Sequence, residues 1–78
     1  MTKWKLIEYR TGERQYCHYN SNKYYVFENF YLMPEASFVE GVTLGEIRIL
    51  EENIPHDVVA EYLAKKFKLE SNKVAQND

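Results

Sequence analysis

Strand-favouring residues dominate the first third of the chain and are interrupted by short groups of turn residues. Residues 4–10 and 14–20 carry many aromatic and aliphatic side chains and are separated by a Thr-Gly pair, which predicts a hairpin. The Asn-Ser-Asn run at 20–22 predicts a second turn, because short polar side chains bond their own backbone. Residues 23–32, KYYVFENFYL, then predict the longest strand of a three-stranded antiparallel meander.

The middle of the chain is harder to assign. Pro34 ends the third strand, and an irregular connection with a short extended piece is expected after it. In residues 42–50, Ile47 and Ile49 alternate with charged neighbours as in a strand, whereas Thr43 and Glu46 have the spacing of a helical capping box. A central glycine and two isoleucines favour the strand.

A helix is predicted from about Pro55 onward. Proline suits the first turn of a helix, and Asp57 lies where the helix dipole favours a negative charge. Val59, Leu63 and Phe67 follow one another at a spacing of four and form an apolar stripe. The stripe predicts that this helix covers one face of the sheet.

Together these elements predict the α+β class. We expect a small antiparallel sheet of three or four strands, in meander order, with one C-terminal α-helix packed on one face. Residues 1–69 form a single domain in this interpretation, and residues 70–78 form a polar, frayed C-terminal tail. A chain of 78 residues has little room for a deep active site.

The strand predicted at 23–32 is aromatic on both faces. One face would carry Val26, Phe30 and Leu32, which we expect to lie under the helix. A strand that is apolar on both faces normally lies between two covering layers, and only one helix is predicted. The second face is therefore either covered by the 34–42 segment or exposed to a partner. Its predicted partner-binding aromatics are Tyr16, Tyr19, Tyr25, Phe27 and Tyr31.

Charge is distributed unevenly along the chain. The net charge is -2, but residues 26–61 alone have a balance of -7, between a first third and a C-terminal part that are both positive. An acidic block favours a protein partner with a basic surface over a phosphate backbone, although it also fits a solvated acidic surface. The acidic residues predicted to face a partner are Glu40, Glu46, Glu51, Glu52 and Asp57.

No motif for catalysis, a metal or a cofactor is present. Cys17 and His18 are adjacent and point to opposite faces of a strand, and Cys17 with His56 matches only a very loose nucleophile and base pattern. One cysteine and two histidines do not have the spacing of a zinc site, and the scattered glycines do not form a phosphate-binding loop. We therefore expect no enzyme activity, no metal and no cofactor.

The leading hypothesis is a small, non-enzymatic protein-binding module. It would dock on a larger nucleic-acid-handling protein through an aromatic face and an acidic rim, as an inhibitor of the mobile-element type. Two alternatives remain: a single-stranded nucleic-acid binder that stacks bases on sheet aromatics, and a structural homodimer. The chain has no apolar run long enough to cross a membrane and no signal-peptide pattern, so a cytoplasmic location is expected.

Overall fold

The computed structural model describes residues 2–76, with side chains through residue 68, and over that range the chain forms five strands and two helices. The strands are β1 (Lys3–Tyr9), β2 (Arg14–Tyr19), β3 (Tyr24–Phe27), β4 (Leu32–Pro34) and β5 (Ile47–Pro55), and the helices are α1 (Glu35–Thr43) and α2 (His56–Gln76). The strands form one antiparallel sheet in the order β4-β3-β2-β1-β5. The α+β class is confirmed, with more strands and one more helix than predicted.

The predicted meander is present in β1, β2 and β3. The turn between β1 and β2 is closed by two backbone hydrogen bonds: Tyr9 N donates to Glu13 O at 2.8 Å, and Gly12 N donates to Tyr9 O at 2.8 Å. In the next turn the Asn20 Oδ1 accepts from the backbone N–H groups of Asn22 and Tyr24, at 3.0 and 3.1 Å. This is the side-chain to backbone bonding expected of asparagine in a turn.

The predicted long strand at 23–32 is wrong, because a tight turn divides it. Phe30 N donates to Phe27 O at 2.8 Å, and Phe27 N donates to Tyr31 O at 2.9 Å, so the chain reverses between β3 and β4. Phe30 has a φ of 67°, which ends the strand conformation. The change of direction moves Phe30 and Leu32 away from the predicted position under the helix, and they are 81% and 52% exposed.

The segment after Pro34 is helix α1, where the sequence had predicted an irregular connection. The helix ends in a Schellman motif: Gly45 N donates to Val42 O at 3.2 Å, and Glu46 N donates to Gly41 O at 2.8 Å. Gly45 has the positive φ of 77° that this cap requires. The glycine that favoured a strand at 42–50 therefore ends a helix, and the strand begins only at Ile47.

Helix α1 covers the face of the sheet that carries Phe27. Phe38 is 3% exposed and packs with Ile7, Cys17 and Ile47 in a buried cluster. Gly41 lies so close to the sheet that a Cβ added there would lie 2.7 Å from Ile47 Cδ1. Of the two alternatives for this face, the structure supports cover by the chain itself.

Helix α2 covers the opposite face and begins where the sequence predicted. Val59 is fully buried with Trp4 and Ile54, and Leu63 packs beside this cluster, whereas Phe67 at the end of the stripe is 54% exposed. The helix backbone continues to Gln76. The side chains of the predicted tail, residues 70–78, lie outside the described residues, and that assignment stays a prediction.

An ion pair between a buried carboxylate and a partly exposed lysine joins α2 to the β3–β4 turn. The Glu28 side chain is 3% exposed, and its Oε1 lies 2.7 Å from Lys66 Nζ. Its other oxygen accepts from Tyr16 N at 2.9 Å, while Glu28 N donates to Tyr16 O at 3.0 Å. Glu28 therefore satisfies the backbone at the end of the β2–β3 ladder and connects that end to the helix.

Candidate partner-binding surface

Three of the predicted aromatic residues pack against the helices, Phe27 fully buried and Tyr16 and Tyr25 partly buried. Phe27 is 1% exposed, and the ring of Tyr25 stacks on Phe38 with centroids 4.0 Å apart. Tyr16 lies on the other side of the sheet, where its ring meets Tyr62 of α2 at 5.1 Å. Because these rings face helices on opposite sides, they do not form one open aromatic face.

The other two predicted aromatics lie at the margin of the α1 side. Tyr19 is 43% exposed and meets Tyr25 edge to face at 5.3 Å, and Tyr31 is 53% exposed and leans on Phe27 at 5.9 Å. Burial, together with the nearby Glu35 carboxylate, raises the pKa of Tyr19. Both phenols therefore combine a supported ring with an exposed edge, a combination suited to protein contacts.

The acidic residues are divided between the two sides of the molecule. Glu40 and Glu46 line one depression beside α1. Glu52 pairs with Lys5, with Nζ and Oε1 3.2 Å apart. Glu51 is opposite Leu6, which packs on the α2 side, and Asp57 lies in the first turn of α2. The structure therefore brings two of the five predicted carboxylates together.

The depression beside α1 has a volume of about 340 Å³. Its lining combines an apolar floor with hydroxyl and carboxylate groups: Tyr9, Met33, Ser37, Glu40, Gly41, Leu44, Glu46 and Ile47. Among the residues that the structure describes, neither Glu40 nor Glu46 forms an ion pair. An apolar floor with unpaired acidic groups at its rim fits an alkyl side chain that ends in a positive charge.

Tyr9 gives the depression a hydrogen-bond donor. Burial raises the pKa of the Tyr9 phenol, and the neighbouring Cys17, Glu13 and Tyr31 act in the same direction. The hydroxyl therefore stays protonated well above neutral pH and can donate to a partner. The Tyr9 ring stacks on Phe27 with centroids 6.2 Å apart, and Tyr31 contacts the same Phe27 ring at 5.9 Å, so the depression and the β3–β4 turn adjoin one buried ring.

Sequence reasoning missed Tyr9, Met33 and Ser37 as members of this surface. They come from β1, β4 and α1, and only the position of α1 brings them together. It also placed Phe30 under a helix, although Phe30 is the most exposed large hydrophobic side chain among the described residues. The Asn at position 29 was the available signal, because Asn next to a strand is typical of a turn.

The groups that could support chemistry are engaged in packing. Burial raises the pKa of the Cys17 thiol to about 12, so it is not a reactive thiolate near neutral pH. Trp4 Nε1 donates to His56 Nδ1 at 3.1 Å, and His18 meets the same indole ring at 4.4 Å. Over the described part of the chain, no group of three His, Cys, Asp or Glu side chains is placed to hold a metal ion.

Comparison with protein-family models, curated proteins and solved structures found no match to this chain. None of the helices formed by the described residues is both long and apolar enough to cross a membrane. Any function must therefore be argued from the surface itself.

Proposed function

We propose that the protein is a small, non-enzymatic protein-binding module that docks on a basic partner through the depression beside α1. One observation carries the proposal: Glu40 and Glu46 border an apolar floor and have no ion-pair partner among the described residues. A lysine or arginine from a partner would place its stem on Met33 and Ile47 and its charge between the carboxylates.

The overall charge supports the same kind of partner. Residues 26–61 have a balance of -7, and α1 and its loop to β5 lie within that block. Negative charge at the depression would speed encounters with a basic protein and disfavour encounters with a phosphate backbone. The proposal extends to inhibition of a nucleic-acid-handling protein, since carboxylates there would occupy positions otherwise taken by phosphates.

The nucleic-acid alternative has less support from the geometry. Base stacking on a sheet requires exposed aromatic rings on one open face. Here Tyr16 lies under α2, while Tyr25 and Phe27 lie under α1. Binding of single strands would therefore need one of the helices to move away.

The proposal can be tested by comparing two charge-matched double variants. Glu40→Gln/Glu46→Gln removes two negative charges from the depression, and Glu51→Gln/Asp57→Asn removes two from elsewhere. The tagged proteins are incubated with a lysate of the source cells, with and without nuclease treatment, and captured proteins are identified by mass spectrometry and then purified. The expected result is a partner whose binding weakens at least about tenfold in the first variant only.

The outcomes separate the hypotheses. Equal weakening by both variants would mean that net charge, and not the depression, governs binding. Capture that disappears with nuclease would favour the nucleic-acid alternative, and a dimeric mass by light scattering without any captured protein would favour the homodimer. Either of the last two results would overturn the proposed function.

A further inference from the structure

Phe30 lies at the tip of the β3–β4 turn and is unusually exposed for a phenylalanine. Its side chain is 81% exposed, and Tyr31 and Leu32, which follow it, are 53% and 52% exposed. Three consecutive large apolar side chains are thus presented to solvent at one end of the sheet. Burial in the core does not explain a phenylalanine here, because its ring is almost entirely in water.

The backbone does not explain a phenylalanine either. Phe30 has a φ of 67°, a left-handed conformation that glycine and asparagine adopt readily and a bulky residue adopts only at a cost. Such strained positions are over-represented at functional sites, where the surrounding structure holds them. Both the exposure and the conformation thus oppose a purely structural role for Phe30.

The surroundings hold Phe30 firmly in place. The turn is closed by its own backbone bonds, and Asn29 Oδ1 accepts from Tyr31 N at 3.2 Å. At its base, buried Glu28 is bonded to Tyr16 N and paired with Lys66 of α2. An apolar side chain on a pre-organised support loses little entropy on binding, which is the property of an interface anchor.

We propose that Phe30 is the apolar anchor of the protein, inserted into a hydrophobic pocket of a partner protein whose pocket is bordered by basic side chains. The partner chemistry follows from charge complementarity, because Tyr31 next to the tip and Tyr9 of the depression both pack on Phe27, and the depression carries Glu40 and Glu46. This inference rests on the proposed function and adds to it the residue that supplies the binding energy. The basic side chains around the partner's pocket would contact Glu40 and Glu46, while the pocket itself would bind the Phe30 ring.

Lys23 supplies a matched control within the same chain. It has a φ of 65° in the β2–β3 turn, at the opposite end of the strands, and it is exposed. Phe30→Gly and Lys23→Gly relieve the same kind of backbone strain, so Tm is expected to be unchanged or raised in both. Only Phe30→Gly removes the anchor.

The test combines crosslinking with affinity measurements on the full chain. The photoreactive residue p-benzoylphenylalanine replaces Phe30 in one protein and Lys23 in another, and each is irradiated in the source cells. A protein crosslinked only from position 30 is identified, purified and titrated with wild type, Phe30→Gly, Lys23→Gly and Phe30→Tyr. We expect the Kd to rise at least about tenfold in Phe30→Gly and to change less than about twofold in Lys23→Gly and in Phe30→Tyr, which keeps the ring.

Several results would overturn the inference. A wild-type Kd in Phe30→Gly would do so, and if Glu40→Gln/Glu46→Gln still weakened that complex, the proposed function would stand without the anchor. Crosslinks only to a second copy of the chain, to nucleic acid or to lipid would mean that Phe30 contacts one of these and not a separate partner protein. Absence of any crosslink from position 30, with a partner captured through the depression, would likewise leave Phe30 outside the interface.

Discussion

Helices α1 and α2 cover opposite faces of the same sheet by different means. The nine-residue helix α1 is held by shape, with Phe38 and Gly41 pressed against Ile47 in an apolar cluster. The longer helix α2 buries Val59 but is also held by polar links, from His56 to Trp4 and from Lys66 to Glu28. Truncating a large buried side chain removes many apolar contacts at once, whereas removing a neutral partner such as His56 costs about one hydrogen bond. The two faces should therefore respond very differently to single substitutions.

The largest contrast is expected between Phe38→Ala and Leu63→Ala. Phe38 is 3% exposed at the centre of the α1 contact, and its loss should lower the free energy of unfolding by about 3 to 5 kcal/mol. Leu63 is only half-buried beside the α2 cluster, so its truncation should cost clearly less. Urea denaturation followed by circular dichroism measures both, and equal losses would show that α2 depends on apolar packing as much as α1 does.

The difference between the faces also explains which elements the sequence predicted. The β1–β2 and β2–β3 hairpins depend on local turn residues such as Gly12 and Asn20, whose conformational preferences do not need the rest of the fold. Helix α2 has a regular apolar stripe and a proline at its start, both of which are local as well. Such local features can be predicted from the sequence before any tertiary contact is known.

Helix α1 could not be predicted from local sequence patterns, because tertiary packing stabilises it. It contains Val39, Val42 and Thr43, which are weak helix formers, together with a glycine. Its stability comes from contacts with the sheet, which a sequence pattern over nine residues does not reveal. The same helix decides which carboxylates meet, so the acidic residues were found from composition but their grouping into one depression was not.

The next prediction uses pH to test the apolar α1 side. Burial raises the pKa of Cys17 from an ordinary value of 9.0 to about 12, so the folded state holds the thiol proton more tightly than the unfolded state. Its contribution to stability is complete below about pH 9 and is lost as pH rises through about 12. In this window wild type should lose about 1.4 kcal/mol per pH unit more than Cys17→Ala.

Tyrosine ionisation supplies the background for this experiment. Burial also raises the pKa values of Tyr9 and Tyr25, so both proteins should lose stability at alkaline pH. The measured quantity is therefore the difference between the two slopes of unfolding free energy against pH. If the two slopes of unfolding free energy against pH were parallel between pH 9 and 12, the Cys17 thiol would not stay protonated in the cluster under α1.

The smallest expected effect is on the polar start of α2. His56→Ala removes the acceptor of the Trp4 indole N–H and the ring stacked near it at 6.1 Å, and should cost about 1 kcal/mol. Trp4 is the only tryptophan of the chain, so its indole N–H gives a single NMR signal that reports this contact. We expect that signal to shift and its exchange with solvent to become faster.

His56→Asn separates the hydrogen bond from the ring. Asparagine keeps an oxygen acceptor at the δ position and suits the start of a helix, so it should retain more of the stability and slow the indole exchange again. Phe38→Ala provides the comparison from the other face, because it should lower global stability far more while leaving the indole signal close to its wild-type position. If Phe38→Ala moved the Trp4 signal as much as His56→Ala does, the two faces would be coupled through the sheet, and α2 would depend on the α1 cluster as well as on its own polar links.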